Sequence, residues 1–227
     1  MFLAFGKVFT AENLLYLLKG TGYSIGIAVL SLLFGLILGV LGSAGKRSKH
    51  VVCKAIANIY VEIIRGTPLL LQILIIFSVI PSIYTAITGE VLRINVYLIG
   101  IIAMSINSGA YQTELIRSGI NAVDKGQWEA CDTLGLTQKQ AMMKVILPQA
   151  LKNVIPPIIS ELITLIKDTS LISTIGAVEL LKGAQVIGNK YYDVMSPYTI
   201  AACYYLIITL IISTIGKKIE KRLSASD

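Results

Sequence analysis

The chain has 227 residues, of which 55% are hydrophobic, and a formal net charge of +7 from 20 Lys and Arg against 13 Asp and Glu. A mean hydropathy of +0.74 is too apolar for an ordinary soluble domain, so the chain belongs in a membrane. One histidine and three scattered cysteines leave little for acid–base or metal chemistry: no enzyme, no metal site and no disulfide are expected.

A spanning helix needs ~20 mostly apolar residues. Five stretches qualify: Leu14 to Gly45, Val51 to Ile80, Ile94 to Ile116, Val154 to Ile175 and Tyr198 to Gly216. The reading is an all-α membrane protein, one transmembrane domain over residues 1–227, with its termini on opposite sides. One set of connections holds Lys46, Arg47, Lys49 and Lys54, then Arg117, Lys125, Lys139, Lys144 and Lys152, then Lys217, Lys218, Lys221 and Arg222. The other set has only Lys7, Lys19, Arg93, Lys182 and Lys190. Basic loop residues are retained in the cytoplasm, which puts the N-terminus outside and the C-terminus in the cytoplasm. This asymmetry accounts for the positive charge without a nucleic-acid partner.

Residues 1–13 mix apolar and charged types and are expected to form a short amphipathic element at the outer interface. The first span is too long for a signal-peptide core and lacks a basic leader, so it reads as an uncleaved helix. Its Gly22/Gly26 and Gly35/Gly39 pairs have the spacing that lets helix backbones approach closely, within the chain or across a dimer. The second span has Gly66-Thr67-Pro68 at its centre, where Pro68 removes a donor and disfavours helix before it. Two outcomes stay open there. One is a simple kink; the other is a broken helix whose outer half starts with Thr67 as N-cap and Pro68 in the first turn, offering a positive dipole end to a carboxylate. Glu62 and Arg65 have helical pair spacing and read as partners of each other or of a neighbouring helix.

The outer connection is expected from Pro81 to Arg93, punctuated by Pro81 and Gly89. The third span places Ser105, Asn107 and Ser108 near the midplane and Glu114 with Arg117 near its inner end, the last two as a structural ion pair. Between the third and fourth spans lies GQWEACDTLGLTQKQAMMKVILP, from Gly126 to Pro148: a short helix, a turn at Gly135, then an amphipathic run ending before Pro148. Pro156-Pro157 fit the opening turn of the fourth span, along which Glu161, Thr164 and Asp168 share one stripe. Two acids on one face inside a bilayer imply a polar cavity or partner. Lys167 and Asp168 can neutralise each other, whereas Glu161 has no basic residue within a helical turn. The outer segment from Gly176 to Pro197 suits a partial helix at the outer surface, where a delivery protein could dock, and the fifth span ends in a basic anchor, KKIEKRLSASD.

No HExxH, GxSxG, CxxC pair or EF-hand pattern occurs. Gly45-Lys46 is the nearest approach to a phosphate loop, but Val40 occupies the place of its first Gly and Arg47 follows the Lys, so ATP-driven work requires another subunit.

Glu129-Ala130, Gly135, and Val145 to Pro148 resemble the EAA loop of ABC-importer permeases, with Cys131 where a second Ala is common and Val145 where Ile is common. RGTPLLLQ, AYQTELIRSGI, DKGQWEA, LPQAL and IKDTSL are similar to segments of the polar amino acid subfamily of those permeases, in order, from about Gly20 to the end. The resemblance implies an ABC type I importer permease-like fold in the inner cell membrane. It also implies a permease dimer (a second copy or a relative), two cytoplasmic ABC ATPases that bind ATP and Mg, an external binding protein that delivers an amino acid, and alternating access. Gly126, Glu129, Ala130, Gly135 and Pro148 would couple to the ATPase, with Glu129 offered to a basic residue there.

If the second, third and fourth spans converge, the midplane collects Thr67 and Pro68, Asn107 and Ser108, Glu161 and Thr164. A substrate carboxylate at the half-helix end with a cationic side chain at Glu161 points to arginine, lysine or histidine. The alternatives are that Glu161 is a packing or gating charge and the external protein selects glutamine or another polar amino acid, or that the chain is an ion-coupled secondary transporter. The last would carry an inverted repeat, and five spans show none.

Overall fold

In the computed structural model residues 7–224 are described; the first six residues of the expected N-terminal element lie outside them, and α1 takes up its last three. Among the described residues the fold is entirely helical. Helix α1 (Ala11–Lys46) is followed by α2 (Val51–Arg65), α3 (Leu69–Thr88), α4 (Val96–Asn121) and α5 (Lys125–Thr133). Helix α6 (Gln138–Ala141), a π-helical turn (Met142–Ile146), α7 (Leu147–Asp168) and a 3-10 segment (Thr169–Ile175) run on without a loop, before α8 (Leu180–Tyr191) and α9 (Met195–Ser224).

Three helices, α1, α3 and α9 up to Leu223, are long and apolar enough to cross a membrane on their own. The Gln138–Ile175 run and α8, bent by 50°, make a fourth if they count as one span. The expectation of five is thus met only in part. Helix α4 falls short because Ser105, Asn107, Ser108, Gln112 and Thr113 dilute it, yet all five are buried against other helices.

Helix α4 is the central post. Its small and polar face receives α1 through Gly35, Gly39 and Gly42; a Cβ at Gly39 would stand 2.6 Å from the Gln112 Cβ. That glycine stripe packs within the chain, while Gly22 and Gly26 have nothing within 4 Å of an added Cβ. The main apolar core joins Ile27, Ile73, Ile99, Met104, Leu165 and Ile172 from α1, α3, α4, α7 and the 3-10 segment. A second cluster seats α8: its Leu180, Ala184 and Ile187 pack with Leu17, Ile200 and Ala201. The expected partial helix is present, but one face is built into the bundle.

The second predicted span does break, at Gly66 to Pro68, yet its continuation differs from expectation. Helix α3 runs through Pro81 to Thr88 and stops at Gly89, whose φ of 75° is left-handed and whose N–H donates to the Thr85 carbonyl at 2.8 Å. The apolar run past Pro81 outweighs one missing bond, as is common in membrane helices. Pro156 and Pro157 likewise lie inside α7 and do not open it. Close packing on α4 holds the helix there: a Cβ on Gly119 would meet Val154 Cγ2. Pro148 sits in the first turn of α7, so it continues the helix at a point where an end was expected. At its far end α9 absorbs most of the basic tail.

Candidate functional site

Two polar clusters flank α4, and the break in the second span feeds one of them. Gln72, one turn into α3, is 8% exposed. Its Nε2 donates to the Ile64 carbonyl at 2.8 Å, the Thr67 carbonyl at 3.1 Å and Thr67 Oγ1 at 2.9 Å, while its Oε1 accepts from Asn107 Nδ2 at 3.0 Å. One side chain therefore satisfies carbonyls that α2 orphans at its C-terminus. Because Gln72 occupies the Thr67 oxygen, the Thr67 hydroxyl donates back to the Ile63 carbonyl at 2.9 Å. Thr67 is not the N-cap. That position belongs to Pro68, and no side chain caps α3. The half-helix end exists, uncapped, and Thr67 and Pro68 are both exposed.

From the next position of α4, fully buried Ser108 donates to Glu161 Oε1 at 2.8 Å and accepts from Gln112 Nε2 at 2.9 Å. Gln112 Nε2 also reaches the Leu32 carbonyl of α1 at 3.1 Å. Glu161 makes no ion pair among the described residues, and half-buried, it opens on a cleft of about 580 Å³ with Tyr111, Pro157, Ser160 and Thr164 in the wall. Exposed Thr164 donates to the Ser160 carbonyl at 3.2 Å, which leaves its oxygen free to accept from the cleft. Lys217 and Glu220 of α9 border the same cleft.

Of the predicted residues the fold thus places Glu161 and Thr164 at one cleft with Ser108 buried behind Glu161, and Asn107, Thr67 and Pro68 at the helix break. Asn107 is turned into the α3–α4 interface. Arg65, expected to pair with Glu62 or another helix, makes no ion pair among the described residues; its guanidinium carbon lies 5.2 Å from the centre of the Tyr111 ring. Lys167 and Asp168 make no ion pair either. Glu114 does bond Arg117, Oε2 to Nη2 at 2.7 Å, and Lys46 joins them.

Sequence reasoning missed Gln72, whose position one turn past a proline break was the available signal, and Glu179. Glu179 is fully buried. It caps α8 by accepting from the N–H groups of Leu181 at 2.9 Å and Lys182 at 2.8 Å, and also accepts from Tyr205 at 3.0 Å and Ser24 at 3.4 Å. It ties α1, α8 and α9 and makes no ion pair among the described residues.

The segment from Lys125 to Ile146 forms a projecting pair of short helices. Asp124 caps α5 by accepting from Gly126 N–H at 2.7 Å, and Gly135 takes a left-handed φ of 72°. Thr137 and Gln140 form a capping box at α6. Cys131 is buried, and Trp128 packs on Ile120, Val123, Ile146 and Ala150, so Glu129, Ala130, Leu134 and Gly135 are left facing outward. All three cysteines are free.

A family profile described as binding-protein-dependent transport system inner membrane component matches residues 31–225. The chain belongs to that family. As a permease it is a multi-pass protein of the cell membrane and not an enzyme; the ATPase is a separate subunit, and family membership brings a second permease and a substrate-binding protein as partners. The permease is 39% identical over 211 residues to a protein of Rickettsia typhi named as a glutamine transport system permease, covering 93% of this chain and 94% of that one. It is 37% identical over 218 residues to the arginine transport system permease ArtQ of Bacillus subtilis, covering 96% and 97% of the two. A solved structure titled as an amino acid ABC transporter with histidines matches with a TM-score of 0.84 at 36% identity, over 91% of this chain and 94% of that one. The MetNI methionine transporter in an inward-facing form shares the fold alone, at 19% identity and a TM-score of 0.73.

Proposed function

We propose that this permease is the membrane-spanning subunit of an ATP-driven amino acid importer that carries arginine, lysine or histidine. The observation that carries this reading is the Ser108–Glu161 pair, an acid without an ion-pair partner among the described residues that opens on a cleft of amino acid size. An acid at the helix centre costs ~2.5–3.5 kcal/mol on insertion scales, a cost offset when a cationic side chain binds it. The uncapped start of α3 at Pro68 offers amide donors to a substrate carboxylate. Thr164 completes the polar wall. A relative named for arginine and a solved structure titled with histidines fit this reading. The relative named for glutamine supports a second one, in which the external binding protein sets specificity and Glu161 is structural.

In this proposal the chain crosses the membrane five times, by α1, α2 with α3, α4, α7 with its 3-10 extension, and α9. The N-terminus is outside and the C-terminus cytoplasmic, as the basic loops dictate. Buried polar side chains on α4 face other helices and not lipid, which is why its modest hydropathy is compatible with spanning. The projecting helices of residues 126–148 dock the cytoplasmic ATPase, with Glu129 as the charged contact; ATP and Mg are bound by that partner. The second permease is a copy of this chain, and alternating access moves the cleft between the two sides.

The test is uptake of labelled arginine and glutamine into vesicles holding the complete complex. Loss of arginine uptake in Glu161→Gln with glutamine uptake retained supports the basic substrate. Unchanged arginine uptake in an assembled Glu161→Gln complex moves selection to the binding protein.

A further inference from the structure

An unpaired arginine stands beside the break in the second span. Arg65 is the last residue of α2, fourteen residues beyond Val51 and therefore roughly 21 Å along the helix, within a hydrocarbon layer ~30 Å thick. A cation at that depth calls for a partner. Yet Arg65 is exposed, Glu62 one turn away does not bond it, and no hydrogen bond or ion pair satisfies its guanidinium among the described residues. What it has is a ring: its guanidinium carbon is 5.2 Å from the centre of Tyr111. Contact with an aromatic ring uses none of the five N–H donors, so the fork remains available for a planar anion.

Tyr111 also places that fork relative to the cleft. Tyr111 is 39% exposed and forms part of the wall that Glu161 and Thr164 line. It lies three residues, one helical turn, after Ser108, which holds Glu161. Tyr60, on α2, pins that helix to α4 by donating to the Ile106 carbonyl at 2.6 Å, and Gln72 fixes the following break. The position of Arg65 is thus set by neighbours that need nothing from its charge.

We propose that Arg65 binds the α-carboxylate of the transported amino acid, with Tyr111 as the platform that holds the guanidinium at the cleft. The proposal rests on the reading that the Glu161 cleft is the substrate site, but it concerns a different part of the ligand. Arg65 recognises what all α-amino acids share, Glu161 what distinguishes the basic ones. The site then sets Arg65 against the carboxylate and Glu161 against the cationic side chain.

The experiment is equilibrium binding of labelled arginine, glutamine and the decarboxylated analogue of each to the purified permease–ATPase complex, for wild type, Arg65→Gln, Arg65→Lys and Glu161→Gln. A charge-assisted bidentate contact predicts that wild type prefers each amino acid over its decarboxylated analogue by about 10- to 100-fold. Arg65→Gln collapses that ratio toward one for both amino acids, and Arg65→Lys restores part of it. Glu161→Gln weakens arginine alone. If the ratio in Arg65→Gln equals that of wild type, or wild type does not discriminate against the decarboxylated ligands, the carboxylate role is wrong whatever Glu161 does. Dissociation of the two permeases in Arg65→Gln, with the ratio intact, would instead assign Arg65 to subunit contact. If Glu161→Gln leaves arginine unaffected while Arg65→Gln collapses the ratio, the basic-substrate reading fails and the carboxylate clamp stands.

Discussion

Ser108 on α4 donates to Glu161 on α7 at 2.8 Å, and the same oxygen accepts from Gln112, so one buried hydroxyl spans the boundary between the helix core and the cleft. Ser108→Ala removes both bonds and leaves Glu161 without the donor that holds it among the described residues. A lost hydrogen bond to a charged group is worth about 1.5–3 kcal/mol. Arginine uptake should show a KM raised roughly tenfold with the complex intact, measured in vesicles of fixed permease content.

Gln72 is the staple of the helix break. Gln72→Leu strands the Ile64 and Thr67 carbonyls and the Asn107 amide together. Each buried unpaired group costs about 1–3 kcal/mol, so thermal unfolding in detergent should shift down by several degrees. Asn107→Ala should cost less, since three of the four Gln72 bonds remain.

The two glycine pairs of α1 should respond oppositely. An added Cβ at Gly39 meets Gln112 at 2.6 Å, whereas at Gly22 it meets nothing within 4 Å. Gly39→Ala should lower the melting temperature and Gly22→Ala should leave it within error. A Gly22→Ala variant that dissociates the permease pair on size exclusion would show that the outward pair contacts the second permease.

How far these positions could be foreseen depended on whether their cause is local. The break at Gly66 to Pro68 was legible because a missing donor and a crowded preceding residue act within one turn. Pro81, Pro156 and Pro157 obey the same chemistry but are no boundaries: the apolar run beyond Pro81 outweighs one missing bond, and packing on α4 holds the turn at Pro156 and Pro157. Glu161 stood out as an acid without a sequence neighbour to neutralise it. The contacts of Arg65 and Glu179 were invisible, since Tyr111 and the Tyr205 and Ser24 hydroxyls reach them from other helices.

Glu179 makes a further prediction. Two of its four donors are backbone amides at the start of α8 and two are hydroxyls from α1 and α9. Glu179→Gln replaces one acceptor with a donor that faces donors, and Glu179→Ala leaves all four unpaired. Both should be less stable, Ala by about 2–4 kcal/mol, read from the loss of folded permease on heating.

Outward-facing Glu129 should matter to the partner and not to the fold. Glu129→Arg is expected to cut uptake to below a tenth of wild type while the permease keeps its melting temperature, checked by whether the ATPase still co-purifies. Gly135→Ala, by contrast, strains a left-handed position and should cost about 1 kcal/mol in the chain itself.

From Gln138 to Ile175 the backbone never leaves helical geometry, although it widens at Met142–Ile146. The handle that projects from the bundle and the acid that lines the cleft therefore belong to one rod, loosened at that joint. Glu161 lies fifteen residues beyond Ile146, roughly 22 Å along the axis, so a pivot of about ten degrees at that joint sweeps it through about 4 Å. That is more than the length of a hydrogen bond. Such a tilt is large enough to detach the carboxylate from Ser108, and under the function proposed above a ligand held there would be released by leverage, with no change in the chemistry of the site.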